Sequence, residues 1–401
     1  MKQEKSQLTI LFFTMVVVMM GFGMIIPILP FYIETFGASG KDLGFLMAIF
    51  SIMQFIFAPI WGTLSDRFGR KPILLIGALG NALSLLFFGL STQLWMMFVS
   101  RALAGILSSA TLPTAMAYIS DSTDAKNRGG GMGVIGAAMG VGMILGPGIG
   151  GWLGNASLSA PFFLGAGLSV LAMIAITLFL PESLPETKRD FSSKLQGPKF
   201  SEMSKAISGP LGILFFMAFI VSFGMTSFEG IFSLFAEAKF NFNPQQVGTI
   251  MTVVGVISAI VQGGLTGPAT KHFGEPMVIK ISLFGSTIGF FLMLLAVPGA
   301  SIYLSVAFFM LFNAMLRPAI SALISNRSTS GQGIAMGLNN SFMSAGRIIG
   351  PIWAGYLFDY NLSAPYISGG MVMLISFFIA TIFLKASHPT RNIMANMEGA
   401  K

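Results

Sequence analysis

Of the 15 acidic residues in this chain, Glu229 alone lies well inside an apolar run and far from any turn. An apolar environment disfavours the charged form of a carboxyl group, so such a group can bind and release a proton as its surroundings change. A proton-coupled exchanger needs a group with that property. The alternative is a glutamate that an arginine or a hydrogen-bond network keeps permanently neutralised. We expect a functional role, the default for ionisable groups in such segments.

Three arginines also lie deep in apolar runs, at Arg101, Arg317 and Arg347. A guanidinium in such a place must face a cavity or a partner rather than lipid. Arg101 is the candidate for adjusting or relaying protonation at Glu229. Its alternative role is an interhelical hydrogen bond to backbone carbonyls. For Arg317 and Arg347 both interpretations stay open.

The stretch from Gly62 to Lys71 places charged and turn-forming residues between two long apolar runs, in a chain that is only 9% charged. A short basic loop between such runs is typical of the cytoplasmic membrane surface. Asp66 and Arg70 are placed to bridge the helix ends, with Asp121 as a plausible partner for Arg70. We predict a conformational gate formed by Gly62, Asp66, Arg67, Gly69, Arg70 and Asp121.

A glycine-rich segment follows between residues 129 and 154. Small residues at four-residue spacing let two helices approach closely, and an internal proline removes one helical hydrogen bond. The pattern predicts a tight, bendable contact between two halves of the protein that limits proton leak, and ordinary small-residue packing is the alternative. The residues concerned are Gly142, Gly146, Pro147, Gly150 and Gly151.

Substrate contacts are predicted from side-chain chemistry inside the apolar runs. Phe228 and Phe232 flank Glu229, and Phe232 lies about one helical turn away. A cavity of aromatic residues and adaptable methionines with few polar groups suits lipophilic compounds of differing shape. The substrate-binding residues predicted on this basis are Met143, Phe228, Glu229 and Phe232.

The composition places these residues in a membrane. The chain is 54% hydrophobic, whereas about 25% of the residues of a soluble domain are charged. We therefore predict an all-α integral membrane protein surrounded by the lipid bilayer. The net charge of +8 is spread over short loops rather than one face, which argues against a nucleic-acid partner.

Several kinds of chemistry are excluded or disfavoured. The absence of cysteine excludes disulfides, thiol catalysis and thiolate metal sites, and only two histidines are present. Gly129–Gly133 is not followed by Lys-Ser/Thr, so it is not a phosphate-binding P-loop. We expect no enzyme activity, no metal and no cofactor.

Twelve apolar segments are long enough to span a bilayer, which takes about 20 helical residues. The longest polar interval, Pro181–Gly209, divides them into two sets of six. We predict two pseudo-symmetric six-helix bundles at 1–185 and 208–401, joined by a cytoplasmic linker at 186–207. The predicted spans are 8–32, 43–63, 72–91, 94–119, 129–153, 160–181, 210–236, 245–268, 275–297, 300–325, 332–358 and 364–385.

An internal repeat supports this division. Leu158–Pro161 recurs as Leu362–Pro365, 204 residues later, and Gly146-Pro147 recurs as Gly350-Pro351 at the same spacing. The repeats are therefore parallel and related by an axis along the membrane normal. Lys and Arg are concentrated in the segments that are cytoplasmic when the N-terminus is inside, so both termini are predicted to be cytoplasmic.

The motifs resemble those of the major facilitator superfamily. Gly62–Lys71 resembles its signature between helices 2 and 3, and Arg101 with Gly105 resembles its helix-4 signature. Gly142–Gly151 is similar to the helix-5 signature of proton-driven antiporters. Ser222–Glu229 and Arg317–Ala319 resemble the NorA/Bmr type within the twelve-helix drug–proton antiporter group. The resemblance also implies substrate contact for Arg317 and for Gln54 and Asn339, which are polar residues inside spans at positions where that type has cavity residues. One position departs from that type, since Ala314 stands where it has an aspartate.

The resemblance implies a monomeric antiporter of the cytoplasmic membrane that exports lipophilic, cationic or zwitterionic drugs in exchange for protons by alternating access. The alternative within the same class is a narrow exporter of tetracycline-like compounds or sugars. A channel or a membrane-embedded enzyme would be a different class. The twofold repeat argues against a simple pore, and no catalytic His/Cys/Ser constellation supports an enzyme.

Overall fold

The computed structural model describes residues 2–124, 128–192, 195, 197–198, 200–328 and 331–384, and these residues form helices and no strands. The all-α membrane class is confirmed. In chain order the helices are α1 (Lys2–Glu34), α2 (Gly40–Phe68), α3 (Arg70–Gly89), α4 (Leu94–Leu107), α5 (Thr111–Ser122), α6 (Arg128–Ala156), α7 (Ala160–Phe179), α8 (Phe200–Ile207), α9 (Gly212–Phe240), α10 (Pro244–Ile260), α11 (Thr266–Phe273), α12 (Glu275–Leu295), α13 (Ala300–Arg327), α14 (Gln332–Tyr360) and α15 (Ala364–Phe383).

Eleven of the described helical segments are long and apolar enough to cross a membrane. The remaining predicted span, 332–358, is α14, which has the required length. Its polar residues, among them Asn339, Asn340 and Arg347, lower its apolar character. The described helices are therefore consistent with twelve spans, one of them more polar than the rest.

Two of the predicted spans are irregular in the structure. The fourth consists of α4 and α5, with the 3-10 turn Ser108–Ala110 between them. The eighth consists of α10 and α11, joined by the π-helical turn Val261–Leu265. Such turns inside long helices mark places where the regular hydrogen-bond ladder is interrupted.

The internal repeat has a direct counterpart in helix boundaries. Helix α6 and helix α14 begin and end 204 residues apart, and α7 and α15 do the same. Pro161 and Pro365 stand near the start of the second pair, where the missing N–H of proline costs no helical hydrogen bond. The repeated sequence therefore encodes repeated helices.

The chain forms two compact units. The first comprises Met1–Pro198 and Glu229–Gly255, and in it α1 packs along α6 while α3 packs along α7. Its core contains the buried side chains of Leu11, Tyr118 and Ile176. The second comprises Lys199–Phe228 and Val256–Lys401, where α12 packs against α13 and α15. The predicted boundaries at 185 and 208 stay a prediction.

Candidate functional site

The basic turn between α2 and α3 is a dense ion-pair cluster. Gly69 links the two helices with φ of 102°, a value that favours glycine. The side chain of Arg70 is 8% exposed and donates hydrogen bonds to Asp66 Oδ1, to Ser65 Oγ at 2.7 Å and to Asp121 Oδ2 at 2.8 Å. Arg70 therefore joins the end of α2 to α5. The pairing with Asp121 that the sequence predicts is present, and its role as a gate stays a prediction.

Glu182 is a member of this cluster that sequence reasoning missed. Its carboxylate accepts hydrogen bonds from the backbone N–H groups of Arg70 at 2.8 Å and Lys71 at 3.1 Å. It also accepts from the N–H groups of Ser183 and Leu184. A carboxylate at the first turn of α3 accepts hydrogen bonds from N–H groups that have no partner within the helix. Its negative charge also interacts favourably with the positive N-terminal end of the helix dipole. Glu182 therefore connects the chain after α7 to the start of α3, beside the Arg70 cluster.

Replacing Glu182 by alanine should destabilise the protein by about 1–3 kcal/mol, because four backbone N–H groups lose a charged acceptor. The midpoint of thermal unfolding of the purified protein checks this. Glu186→Ala is the matched control: its side chain is 86% exposed and pairs with Arg189 at the surface, where ion pairs contribute little. Equal midpoints for the two variants would contradict the assignment.

Arg101 lies on α4, and its side chain is almost completely buried. The guanidinium carbon is 5.6 Å from the ring centre of Phe50 and 5.9 Å from that of Phe88. Cation–π attraction by both rings offsets part of its desolvation. Within the described chain Arg101 forms no ion pair, with Glu229 or with any other acid. The relay between Arg101 and Glu229 stays a prediction without a direct contact in this structure.

The glycines of α6 form its contact with α1. A Cβ added at Gly142 would lie 2.7 Å from the backbone oxygen of Val16, and one at Gly146 would lie 2.7 Å from that of Met20. A Cβ at Gly150 would meet the backbone oxygen of Met24 at 2.6 Å. Glycines at four-residue spacing therefore let the two backbones touch, as small residues do in membrane helix pairs.

Another face of α6 contacts the first turns of α10, within the first unit. A Cβ added at Gly151 would clash with the backbone oxygen of Pro244 and lie 2.8 Å from Cα of Gly248. One turn earlier, a Cβ at Gly148 would lie 2.8 Å from Thr252 Oγ1. Pro147 lies inside α6 without ending it. The later part of the segment thus packs against two helices at once, which explains why glycine is needed at positions 142, 146, 148, 150 and 151.

The predicted proton site lies on α9. Glu229 is partly exposed, whereas Phe228 and Phe232 are buried at 1% and 0% exposure. The ring of Phe228 packs on that of Phe309, with 5.0 Å between the centres. Neither phenylalanine presents surface to a ligand in this structure. Their substrate contact stays a prediction that requires a different side-chain arrangement.

The other substrate candidates have different environments. Gln54 and Met143 are partly exposed, and Arg317 on α13 is exposed. Asn339 is buried on α14 and donates a hydrogen bond from Nδ2 to Ser321 Oγ at 3.1 Å. Asn339 therefore fastens α14 to α13. Substrate contact stays a prediction for all four residues.

Comparison with known proteins gives consistent matches along the chain. The family model of the Major Facilitator Superfamily matches residues 11–228 and 214–396. Multidrug resistance protein 2 of Bacillus subtilis (strain 168) is 33% identical over 375 residues, which cover 93% of this chain and 94% of that protein. Quinolone resistance protein NorA of Staphylococcus aureus (strain COL) is 32% identical and covers 90% and 92% of the two chains. The crystal structure of the nucleoside transporter NupG matches with a TM-score of 0.77 at 15% identity, covering 96% of this chain and all of the other.

Proposed function

Because this chain belongs to the Major Facilitator Superfamily, we propose that it exports lipophilic, cationic or zwitterionic drugs from the cytoplasm in exchange for protons by alternating access. The observation that carries the proposal is the similarity, at 32–33% identity over almost the whole length, to relatives named for multidrug and quinolone resistance. A match of this extent covers every helix that an exporter needs. No cofactor is part of the proposed cycle.

Proton coupling is assigned to Glu229. Its carboxyl group lies on α9 beside two buried phenylalanines. In an apolar environment of this kind, the free energy of ionising the carboxyl group changes when a neighbouring charge or water molecule leaves. In the proposed cycle a proton from outside displaces bound drug at this group, and release of the proton inside resets it. Arg101, a buried cation on α4, is proposed to adjust or relay protonation at Glu229.

The glycines of α6 are assigned to a tight helix contact that limits proton leak, which we call the seal. At these glycines α6 lies very close to both α1 and α10, and this contact is proposed to exclude water and so keep protons from bypassing Glu229. Pro147 lowers the cost of bending α6, because one helical hydrogen bond is already absent. Sealing and bending are the two contributions proposed for α6 in alternating access.

The Arg70 cluster is assigned to the cytoplasmic gate. Arg70 donates hydrogen bonds to acceptors on both α2 and α5. Glu182 accepts a hydrogen bond from the backbone N–H of Arg70 at the start of α3. Charge-assisted hydrogen bonds of this kind are worth about 1.5–3 kcal/mol each, so the cluster sets a sizeable barrier to separating these helix ends. Asp66, half exposed, is the member that can exchange its partner most readily.

Localisation and assembly follow from the same proposal. We place the protein in the cytoplasmic membrane as a monomer with both termini inside, in keeping with the distribution of Lys and Arg. The six-helix halves at 1–185 and 208–401 are proposed to alternate in access. Substrate contact is proposed for Gln54, Met143, Phe228, Glu229, Phe232, Arg317 and Asn339.

Expression in a strain that lacks its own drug pumps should raise resistance to several unrelated lipophilic cations and antibiotics. The measurement is a panel of susceptibility tests, repeated with a protonophore that collapses the proton gradient. Resistance that disappears with the protonophore supports proton-coupled multidrug export. Resistance to a single class, such as tetracyclines, would replace it with the narrow exporter, and resistance that survives the protonophore would contradict proton coupling.

A further inference from the structure

An apolar groove of about 390 Å³ opens between α12, α13 and α15 in the second unit. It faces outward, since Ile281 is 43% and Phe284 is 47% exposed. An outward face of a membrane helix is in contact with lipid, so the groove is part of the lipid-exposed surface. Its walls are aromatic and aliphatic: Ile281, Phe284, Ile288, Phe308, Phe312 and Phe377.

The aromatic pairs give the groove a defined shape. The rings of Phe284 and Phe377 are 5.3 Å apart between centres, and those of Phe308 and Phe312 are 5.0 Å apart. Phe312 can lie deep between the helices because the residue opposite it is Gly285, where a Cβ would lie within 2.6 Å of the ring carbons. Gly285 therefore determines the depth of the slot.

One end of the groove carries a cation. Of the described residues that line it, Lys280 is the only charged one. It forms no ion pair with any acid of the described chain. The nearest acid along the helix, Glu275, instead accepts a hydrogen bond from Asn326 at 3.0 Å. The ammonium group is thus available to a ligand.

The fold itself does not require this lysine. At the repeat spacing of 204 residues, Lys280 corresponds to Ile76 in the first copy, just as Pro276 corresponds to Pro72. The equivalent helix therefore forms with an aliphatic residue at this position. Placing a cation in a membrane helix is costly, so its presence beside an apolar groove points to a ligand with a negative group and an apolar body.

The length of the groove matches the thickness of one leaflet of the bilayer. Lys280 is five residues from the start of α12, or about 8 Å along its axis, a depth from which a lysine side chain can reach the headgroup region. From Lys280 to Ile288 the groove follows about 12 Å of helix, close to the half-thickness of about 15 Å of the hydrocarbon core. An acyl chain that starts at a headgroup would end near Ile288.

We propose that this groove binds an anionic phospholipid, with the phosphate on Lys280 and one acyl chain between α12, α13 and α15. None of the residues proposed to contact drugs lines the groove, so the groove is distinct from the proposed drug site. With the proposed topology, the Glu275 end of α12 is cytoplasmic and the lipid comes from the inner leaflet. Binding itself does not depend on that orientation or on the transport activity.

The test is native mass spectrometry of the purified, delipidated full chain, titrated with phosphatidylglycerol or phosphatidylcholine of identical acyl chains. We expect several-fold stronger retention of phosphatidylglycerol. Lys280→Gln should reduce it to the phosphatidylcholine level, and Lys280→Arg should preserve it. Lys271→Gln, which removes an exposed lysine outside the groove, is the matched control and should bind as the unaltered chain does.

Two further measurements keep the proposal falsifiable. Gly285→Ala pushes Phe312 into the slot while keeping the charge, so it should weaken retention of both lipids. Glycerol phosphate, which has the anionic group without acyl chains, should not compete at concentrations equal to the lipid. Equal binding by Lys280→Gln and the unaltered chain would overturn the proposal, as would effective competition by glycerol phosphate.

Discussion

Glu229→Gln should abolish proton-driven drug export and return the resistance of pump-deficient cells to the level without the protein. Glutamine has nearly the shape of protonated glutamate but cannot release a proton. The variant is therefore fixed in the equivalent of the protonated state. Net export against a gradient must stop, because each cycle requires one release of a proton inside and one uptake outside.

The decisive measurement uses everted membrane vesicles with an imposed pH gradient and a fluorescent lipophilic cation. The unaltered chain should accumulate the dye when the gradient is applied, and Glu229→Gln should not. Equilibration of the dye without a gradient should also slow in the variant, because in the proposed cycle the protonated form of this group releases bound drug. A thermal unfolding midpoint equal to that of the unaltered chain separates a proton-site defect from misfolding.

Glu237→Gln is the matched control, since Glu237 lies on the same helix, eight residues further on. Its carboxyl group is hydrogen-bonded to that of Glu34 near the end of α1, and a glutamine amide can still form a hydrogen bond with Glu34. We expect this variant to retain gradient-driven accumulation of the dye. Equal loss in both variants, or retained accumulation in Glu229→Gln, would contradict the assignment of coupling to Glu229.

Parts of this architecture were accessible from sequence for identifiable physical reasons. Runs of apolar residues long enough to cross a bilayer have few structural alternatives, so the spans could be placed. The more polar α14 could be placed by length in the same way, and the match of Gly350-Pro351 with Gly146-Pro147 supports its equivalence to α6. The ion pair of Arg70 with Asp121 followed from two charges at helix ends on one membrane face.

Other features depend on tertiary structure that local sequence does not encode. The polar segment after α7 contains Glu182, Glu186 and Asp190, and no local pattern shows which of them returns to α3. Phe228 and Phe232 flank Glu229 at helical spacing, but spacing alone does not determine which face is buried. Both are buried in this structure, and their contact with substrate stays a prediction. The lipid-facing groove depends on how Gly285 and Phe312 meet across two helices.

Gly151→Ala should weaken transport strongly, because the added methyl group collides with backbone rather than with a flexible side chain. Its Cβ would clash with the backbone oxygen of Pro244 and lie 2.8 Å from Cα of Gly248. Backbone atoms of two helices cannot rotate away, so α6 and the first turns of α10 must separate. Overpacking of this kind destabilises the conformation in which these helices touch by about 1–3 kcal/mol.

Gly140→Ala provides the matched control on the same helix. Nothing lies within 4 Å of a Cβ added there, so the substitution introduces no collision. Alanine is also favoured over glycine in a helix by about 0.5–1 kcal/mol. We expect this variant to be as active as the unaltered chain and slightly more stable. The two substitutions are chemically identical, so a difference between them reports the contact with α10.

Opening of that contact can be measured directly, because the chain contains no cysteine and one introduced at Thr252 is the only thiol. Thr252 lies across from Gly148, one turn from the site of the collision. In Gly151→Ala the Cys should react with a maleimide several-fold faster than in the unaltered background, and the vesicles should lose an imposed pH gradient faster. Unchanged labelling together with unchanged proton leak would show that the glycines serve packing alone. Faster labelling with faster leak would tie the seal to the backbone contact, because the only change is one methyl group placed where two helices meet.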